Sequence, residues 1–128
     1  MPTELGYLSQ PLPPGTRSEV DYPVTAAQLT DHIPGRPGVL MTPELVGLLE
    51  ETAAKMVRPR LAPGAASVGV RVDIHHTGAA FLDETVHVNA VLTRAEGRRL
   101  FFDVSASVDE RPIGHGLIGF ALVRYPAP

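Results

Sequence analysis

Apolar residues recur at helical spacing in one long stretch of the chain. Between Val39 and Val57, Leu45, Leu48, Leu49, Thr52, Ala53 and Met56 form a broad stripe, while Glu44, Glu51, Lys55 and Arg58 fall close to one line. This is the pattern of a helix with one dry and one wet face. Thr42 suits the N-cap, Pro43 the first helical position, and Glu44 the first turn, where the helix dipole favours a negative charge. Glu51 and Lys55 form a favourable i,i+4 pair, and Pro59 closes the element. Glu50 breaks the pattern. Its neighbours at helical spacing are Val46, Gly47, Ala54 and Val57, all apolar or small. A carboxylate there is either partly buried and in need of a partner, or it lies at the edge of the stripe and reaches water.

The rest of the chain alternates with a period of two or is punctuated by Pro and Gly. Residues 1–16 carry Pro2, Pro11, Pro13, Pro14, Gly6 and Gly15 and read as an extended N-terminal arm outside the core. Residues 17–24 put Val20, Tyr22 and Val24 on one strand face, and Pro23 marks an edge strand. Thr25 to Leu29 suits a short helical turn, and Ile33 to Gly38 a loop. Four strand candidates follow the helix, at about 67–76, 84–95, 98–109 and 113–125, with turns at Glu96-Gly97 and Asp109 to Pro112. One long helix followed by an antiparallel meander predicts an α+β fold, with residues 17–128 forming a single domain whose sheet curves around the helix. Its edge strands favour pairing with a second copy of the chain.

Composition narrows the partners. A chain of 128 residues can build one domain with a substantial core, and 44% hydrophobic against 20% charged residues marks it as globular. The net charge is −3 without a basic run, so nucleic-acid binding has no footprint. There is no cysteine, hence no disulfide framework and no thiolate chemistry. Met1-Pro2-Thr3-Glu4-Leu5-Gly6 lacks the basic and apolar regions of a secretory leader, and no apolar run is long enough to span a bilayer. A cytoplasmic domain without a membrane partner is expected.

The candidate chemistry is sparse. His75 and His76 are adjacent on a strand and point to opposite faces, and no third ligand stands at a metal-like spacing. Parity places His76 on the face of Val68, Val70, Val72 and Ile74, with Asp73 and His75 on the other. His32, His87 and His115 lack supporting patterns and read as surface or loop residues. Gly114-His115-Gly116 lacks the strand-to-helix setting of a phosphate loop, and no Gly-x-Ser-x-Gly elbow occurs. Thr42, Glu50 and His76 remain. A hydroxyl, a carboxylate and an imidazole are the parts of an acyl-transfer site, and a helix N-terminus adds N–H groups for an oxyanion. The plainer readings are a capping threonine, a carboxylate reaching water and a satisfied edge histidine.

Three segments carry a family resemblance: Met41-Thr42-Pro43-Glu44-Leu45-Val46-Gly47-Leu48-Leu49-Glu50; Ser67-Val68-Gly69 with Ile74-His75-His76-Thr77; and Ala95-Glu96-Gly97-Arg98-Arg99-Leu100. Together they resemble the fluoroacetyl-CoA thioesterase family of hotdog-fold proteins. The resemblance runs from about Val39 to Ser107. It implies a sheet wrapped around a central helix, a homodimer formed by joined sheets, and hydrolysis of an acyl-CoA or acyl-carrier-protein thioester without metal or organic cofactor. It also implies a Thr/Glu/His set at Thr42, Glu50 and His76, with Gly69 as a site-lining backbone position.

Two departures from the family bear on substrate and mechanism. The aromatic gate expected before the threonine is replaced by Gly35-Arg36-Pro37-Gly38. The His-x-Arg expected on the last strand is replaced by Leu117-Ile118-Gly119-Phe120. A non-catalytic hotdog protein that sequesters an acyl thioester or small apolar ligand is therefore the alternative. A hydratase would need Asp-x4-His, and Asp83 and His87 stand one residue too close. If Thr42 and Glu50 share one straight helix they lie about 12 Å apart along its axis, so the set would have to be completed by a bend or across a dimer.

Overall fold

The computed structural model describes residues 6–126. The helix α1 runs Thr42–Val57 and buries Leu45, Leu49, Thr52, Ala53, Ala54, Met56 and Val57. The expected stripe is therefore the buried face, except that Leu48 is only half-buried. Leu45 and Leu49 are fully covered, each contributing roughly 1.5–3 kcal/mol of burial free energy. A short 3-10 turn, Arg58–Arg60, with Pro59 inside it, ends the helix.

The strands are β1 (Arg17–Pro23), β2 (Ala65–His76), β3 (Thr85–Glu96), β4 (Arg99–Val108) and β5 (Arg111–Arg124). They form one sheet in the order β1-β3-β4-β5-β2, with every neighbouring pair antiparallel. Thus the meander expected of four strands covers only β3, β4 and β5. β2 does not pair with β3, its successor in sequence; it lies on the far edge beside β5. The connection between them crosses the end of the sheet. Thr77 and Gly78 donate to Ile113 O, and Leu40 donates to Ala80 O at 2.8 Å. β1 is the opposite edge, as Pro23 required. The β4–β5 hairpin turns at Asp109 and Glu110, both at positive φ, the backbone of a tight two-residue turn.

The concave side of the sheet packs on α1. Val86, Val88, Ala90 and Leu92 of β3, Leu100 and Phe102 of β4, and Ile118 and Leu122 of β5 are fully buried. β1 is also tied to the helix by a hydrogen bond. Thr52 donates its hydroxyl to Leu48 O at 2.7 Å, which leaves the Thr52 oxygen to accept from the Tyr22 hydroxyl at 3.0 Å.

The arm needs a correction. Its described part is a loop, as expected, but it is not outside the core: Leu8 is 3% and Leu12 8% exposed. Leu8 bridges to Leu61, Ser9 N–H donates to Arg60 O at 2.8 Å, and Arg60 Nε donates to Pro11 O at 3.1 Å. Pro and Gly governed its backbone, and the two leucines its burial. Residues 1–5 of the arm and 127–128 of the expected domain lie outside the described residues. No helix among the described residues is long and apolar enough to cross a membrane.

Candidate active site

Thr42 is not the N-cap. Met41 takes that place in an extended conformation, Thr42 is the first helical residue and Pro43 follows it. A first-turn hydroxyl is free to point away from the helix end. Here it meets the ring of His76, sharing a hydrogen bond of 2.7 Å with Nδ1. His76 is the last residue of β2 and stands opposite Gly114 on β5. A side chain at Gly114 would come within 2.8 Å of Leu45 Cδ2, so glycine lets the first turn of α1 settle against this end of the sheet.

Glu50 lies two turns farther along the same helix, roughly 12 Å from Thr42 along the axis. It is half-buried, which answers the question posed by its apolar neighbours, and among the described residues its carboxylate forms no hydrogen bond or ion pair. It faces Gly69 so closely that a Cβ at Gly69 would overlap Glu50 Oε2. The adjacent Glu51 has a different environment. Arg58 donates to both of its oxygens, each at 2.6 Å, and Lys55 Nζ is 3.9 Å away. The Arg58 hydrogen bonds hold the Glu51 carboxyl below its usual range, and the same contact raises Arg58.

Gly69 and His76 both face the helix, which the alternation of the strand does not allow. They are separated by an odd number of positions and would lie on opposite faces of a regular strand. The β2–β5 register slips between Gly69 and Arg71, leaving Val70 as a bulge. Before the bulge Ser67 and Gly69 pair with core residues Leu122 and Phe120; after it Val72 pairs with core residue Ile118. The single face expected for Val68, Val70, Val72 and Ile74 is therefore broken, with Val68 turned to the other side.

The expected site residues fall in two separate cavities. One, of about 230 Å³, includes Gly47, Glu50, Ser67, Gly69 and Phe120 in its wall. The other, of about 350 Å³, includes Thr42, His76, Met41, Val39 and His32. The expected set is thus brought together in pairs: Thr42 with His76, and Glu50 with Gly69. Within one chain the pairs do not join. His32, expected as a surface or loop residue, is an exposed loop residue at the rim of the second cavity. Phe120 stands where a polar residue was expected and lines the Glu50 cavity. Among the described residues no cluster of three or more His, Cys, Asp or Glu is arranged to hold a metal.

A curved antiparallel sheet around one long helix, with the polar residues strung along that helix and the edge strand beside it, defines a hotdog protein of the thioesterase superfamily. The chain belongs to the fluoroacetyl-CoA-specific thioesterase family, FlK, which it matches over residues 24–124. It is 40% identical over 80 residues to the fluoroacetyl-CoA thioesterase of Streptantibioticus cattleyicolor; the match covers 62% of this chain and 58% of that protein, under two thirds of the relative's length. A point mutant of the fluoroacetyl-CoA-specific thioesterase FlK, solved with fluoroacetate and CoA, superposes with a TM-score of 0.82 at 32% identity, covering 88% of this chain and 96% of the other. A hot-dog-like protein from Thermanaerovibrio acidaminovorans shares the fold, with a TM-score of 0.80 at 24% identity and coverage of 88% and 84%.

Proposed function

We propose that the chain is an acyl-CoA thioesterase that works as a homodimer, with each active site completed across the interface. The observation that carries this reading is the 2.7 Å Thr42–His76 hydrogen bond at a helix N-terminus. A hydroxyl paired with an imidazole is a poised acyl-transfer unit, and the first-turn N–H groups beside it suit a developing oxyanion. The carboxylate would come from the second chain. β2 is an edge strand whose Val68, Val70 and Val72 are 44–49% exposed. Antiparallel pairing of two β2 edges about an axis midway between Val72 and Asp73 sets each His76 opposite the partner's Gly69, and with it the partner's Glu50.

In that arrangement the thioester carbonyl lies between the two pairs. Thr42 attacks it or donates a hydrogen bond to it, His76 takes or relays the proton, and Glu50 acts as nucleophile or as the base for a water. The thiolate of CoA leaves and takes up that proton, and water, added directly or to the acyl-enzyme, releases the acyl group as the carboxylic acid. CoA as the carrier is supported by the CoA complex of the FlK mutant at 32% identity. The acyl group need not be fluoroacetyl, since Gly35 to Gly38 offers no aromatic gate. Thiol release from acyl-CoAs of graded size is the test. Wild type should release thiol, and Glu50→Gln and His76→Ala should abolish release; turnover that survives both substitutions sinks the proposal.

Phe120 supports a second reading. An apolar ring in the Glu50 cavity, in place of the family's arginine, suits a protein that holds an acyl thioester without cleaving it. Calorimetric binding of acyl-CoAs without product would favour that reading.

A further inference from the structure

We infer that the acyl group taken by the Thr42–His76 cavity is an uncharged hydrocarbon chain of about six to eight carbons, and that Val39 and Met41 set its length. The inference rests on the thioesterase reading above. The thioester carbonyl lies between the two pairs of site residues, so its two substituents run into different cavities. These differ in chemistry. The Glu50 cavity has Glu50, Glu51, Arg58 and Ser67 in its wall, a polar lining that suits the amide-bearing arm of the carrier. The Thr42–His76 cavity is mostly apolar, walled by Val39, Leu40, Met41 and Pro43. No arginine or lysine lines it, and two carboxylates adjoin it in the chain: Asp31 between Thr30 and His32, and Glu44 after Pro43. A carboxylate on the acyl group gains nothing there. A hydrocarbon chain costs the polar members little: Thr42 and His76 belong to the reacting end, and His32 is exposed at the rim and stays in water.

The apolar wall stands on fixed backbone. Thr30 N–H donates to Val39 O at 2.8 Å, Leu40 N–H to Ala80 O at 2.8 Å, and Met41 N–H to Gln28 O at 2.9 Å. Gly38 permits this closure, because a Cβ there would overlap the Thr30 carbonyl. Three consecutive wall residues are thus tied to three different partners, and the cavity they border is preformed. A fixed apolar wall rewards each methylene it covers until the space is filled. The volume of about 350 Å³ has room for on the order of ten non-hydrogen atoms at about 30 Å³ each. The thioester carbonyl takes part of that room, which leaves the chain length inferred. Leu40 is fully buried and serves the core, whereas Val39 and Met41 are only partly buried, so their side chains can change size without disturbing it.

The experiment measures kcat/KM for acetyl-, butyryl-, hexanoyl-, octanoyl- and decanoyl-CoA, with succinyl-CoA as the charged counterpart of butyryl-CoA. It uses the full chain as wild type, Met41→Leu, Met41→Trp and Val39→Phe, with thermal unfolding to confirm that each variant is folded. For wild type kcat/KM should rise about fourfold per methylene, about fifteenfold from butyryl to hexanoyl, and level off by decanoyl. Butyryl-CoA should be cleaved faster than succinyl-CoA. Met41→Trp takes up the room of about two carbons and should bring the hexanoyl-to-butyryl ratio close to unity. Val39→Phe should lower that ratio in the same direction, and Met41→Leu should keep it. A wild-type profile that is flat or falls from acetyl to hexanoyl, or that favours succinyl over butyryl, overturns the inference and leaves the thioesterase reading standing. A wild-type ratio in both folded Met41→Trp and folded Val39→Phe does the same. No hydrolysis of any acyl-CoA in a broad panel overturns both.

Discussion

Replacing Gly69 by alanine tests whether the Glu50 carboxylate is a working part of the site. Gly69 lies on an edge strand, outside the positive-φ positions, so alanine meets no backbone strain there. Its added Cβ would overlap Glu50 Oε2. Ordinary contact needs about 3.5 Å between heavy atoms, so the carboxylate must retreat by roughly an ångström. Since Glu50 is the mobile end of a side chain, the fold absorbs that shift easily. Removing a glycine from a strand should in fact leave stability unchanged or raise it by up to about 1 kcal/mol. Catalysis is less tolerant. Misplacing a reacting group by about 1 Å can cost on the order of 100-fold. Gly69→Ala should therefore lower kcat/KM by about two orders of magnitude while its melting temperature holds or rises, as read by thiol release and thermal unfolding on the same preparation. Wild-type kcat/KM in this variant, with Glu50→Gln inactive, would refute the argument that the close approach of Gly69 positions the carboxylate.

Mixing two inactive variants tests the shared site: when Thr42→Ala and Glu50→Gln chains are unfolded and refolded together, half the dimers are mixed and each regains one intact site, so about a quarter of wild-type activity should return. No activity in either the separate or the mixed samples would mean that both residues are needed from one chain. A second expectation concerns His87, which shares hydrogen bonds with Asp21 at 2.7 Å and Glu19 at 3.2 Å. The Asp21 bond, then the Glu19 bond, raises the imidazole above its ordinary 6.5, so the charged form is favoured by the fold; its contribution is fully present below the unfolded value and is lost as pH rises through the higher folded one. Urea unfolding from mildly acidic to mildly alkaline pH should show wild type losing more stability than His87→Ala across that window, and parallel curves would show that the cluster is inert.

Much of this molecule was legible because helix and strand periods differ. The stripe from Leu45 to Met56 marked the helix and its dry face, and alternation marked the strands to within a few residues. Glu50 stood out as a carboxylate among apolar neighbours, and it is half-buried. What was not legible depends on non-local pairing. Nothing in Ser67 to His76 says that β2 joins β5 and not β3. The Val70 bulge was hidden by regular Val alternation, although Gly69 is the kind of residue that often accompanies one. Thr42 is a good capping residue by composition, and only the position of His76 gives its hydroxyl another partner. Leu8 and Leu12 were masked by the prolines around them.

The bulge explains how one strand serves both halves of the proposed site. A regular β2 could present Gly69 or His76 to the helix, but not both, because their spacing is odd. With Val70 looped out, the strand faces the helix with a bare backbone beside Glu50 and an imidazole beside Thr42. The residues near each end of that span differ in kind, and this matters for assembly. In the proposed mechanism the Glu50 carboxylate needs a partner, and so does the Thr42–His76 pair. In the proposed dimer, two chains related by a twofold axis across β2 would carry each deficiency once at either end, so a single symmetric contact would correct both. The neighbouring Glu51 takes both hydrogen bonds of Arg58, which lines the same cavity as Glu50; Glu50 faces the bare backbone of Gly69 on β2 instead.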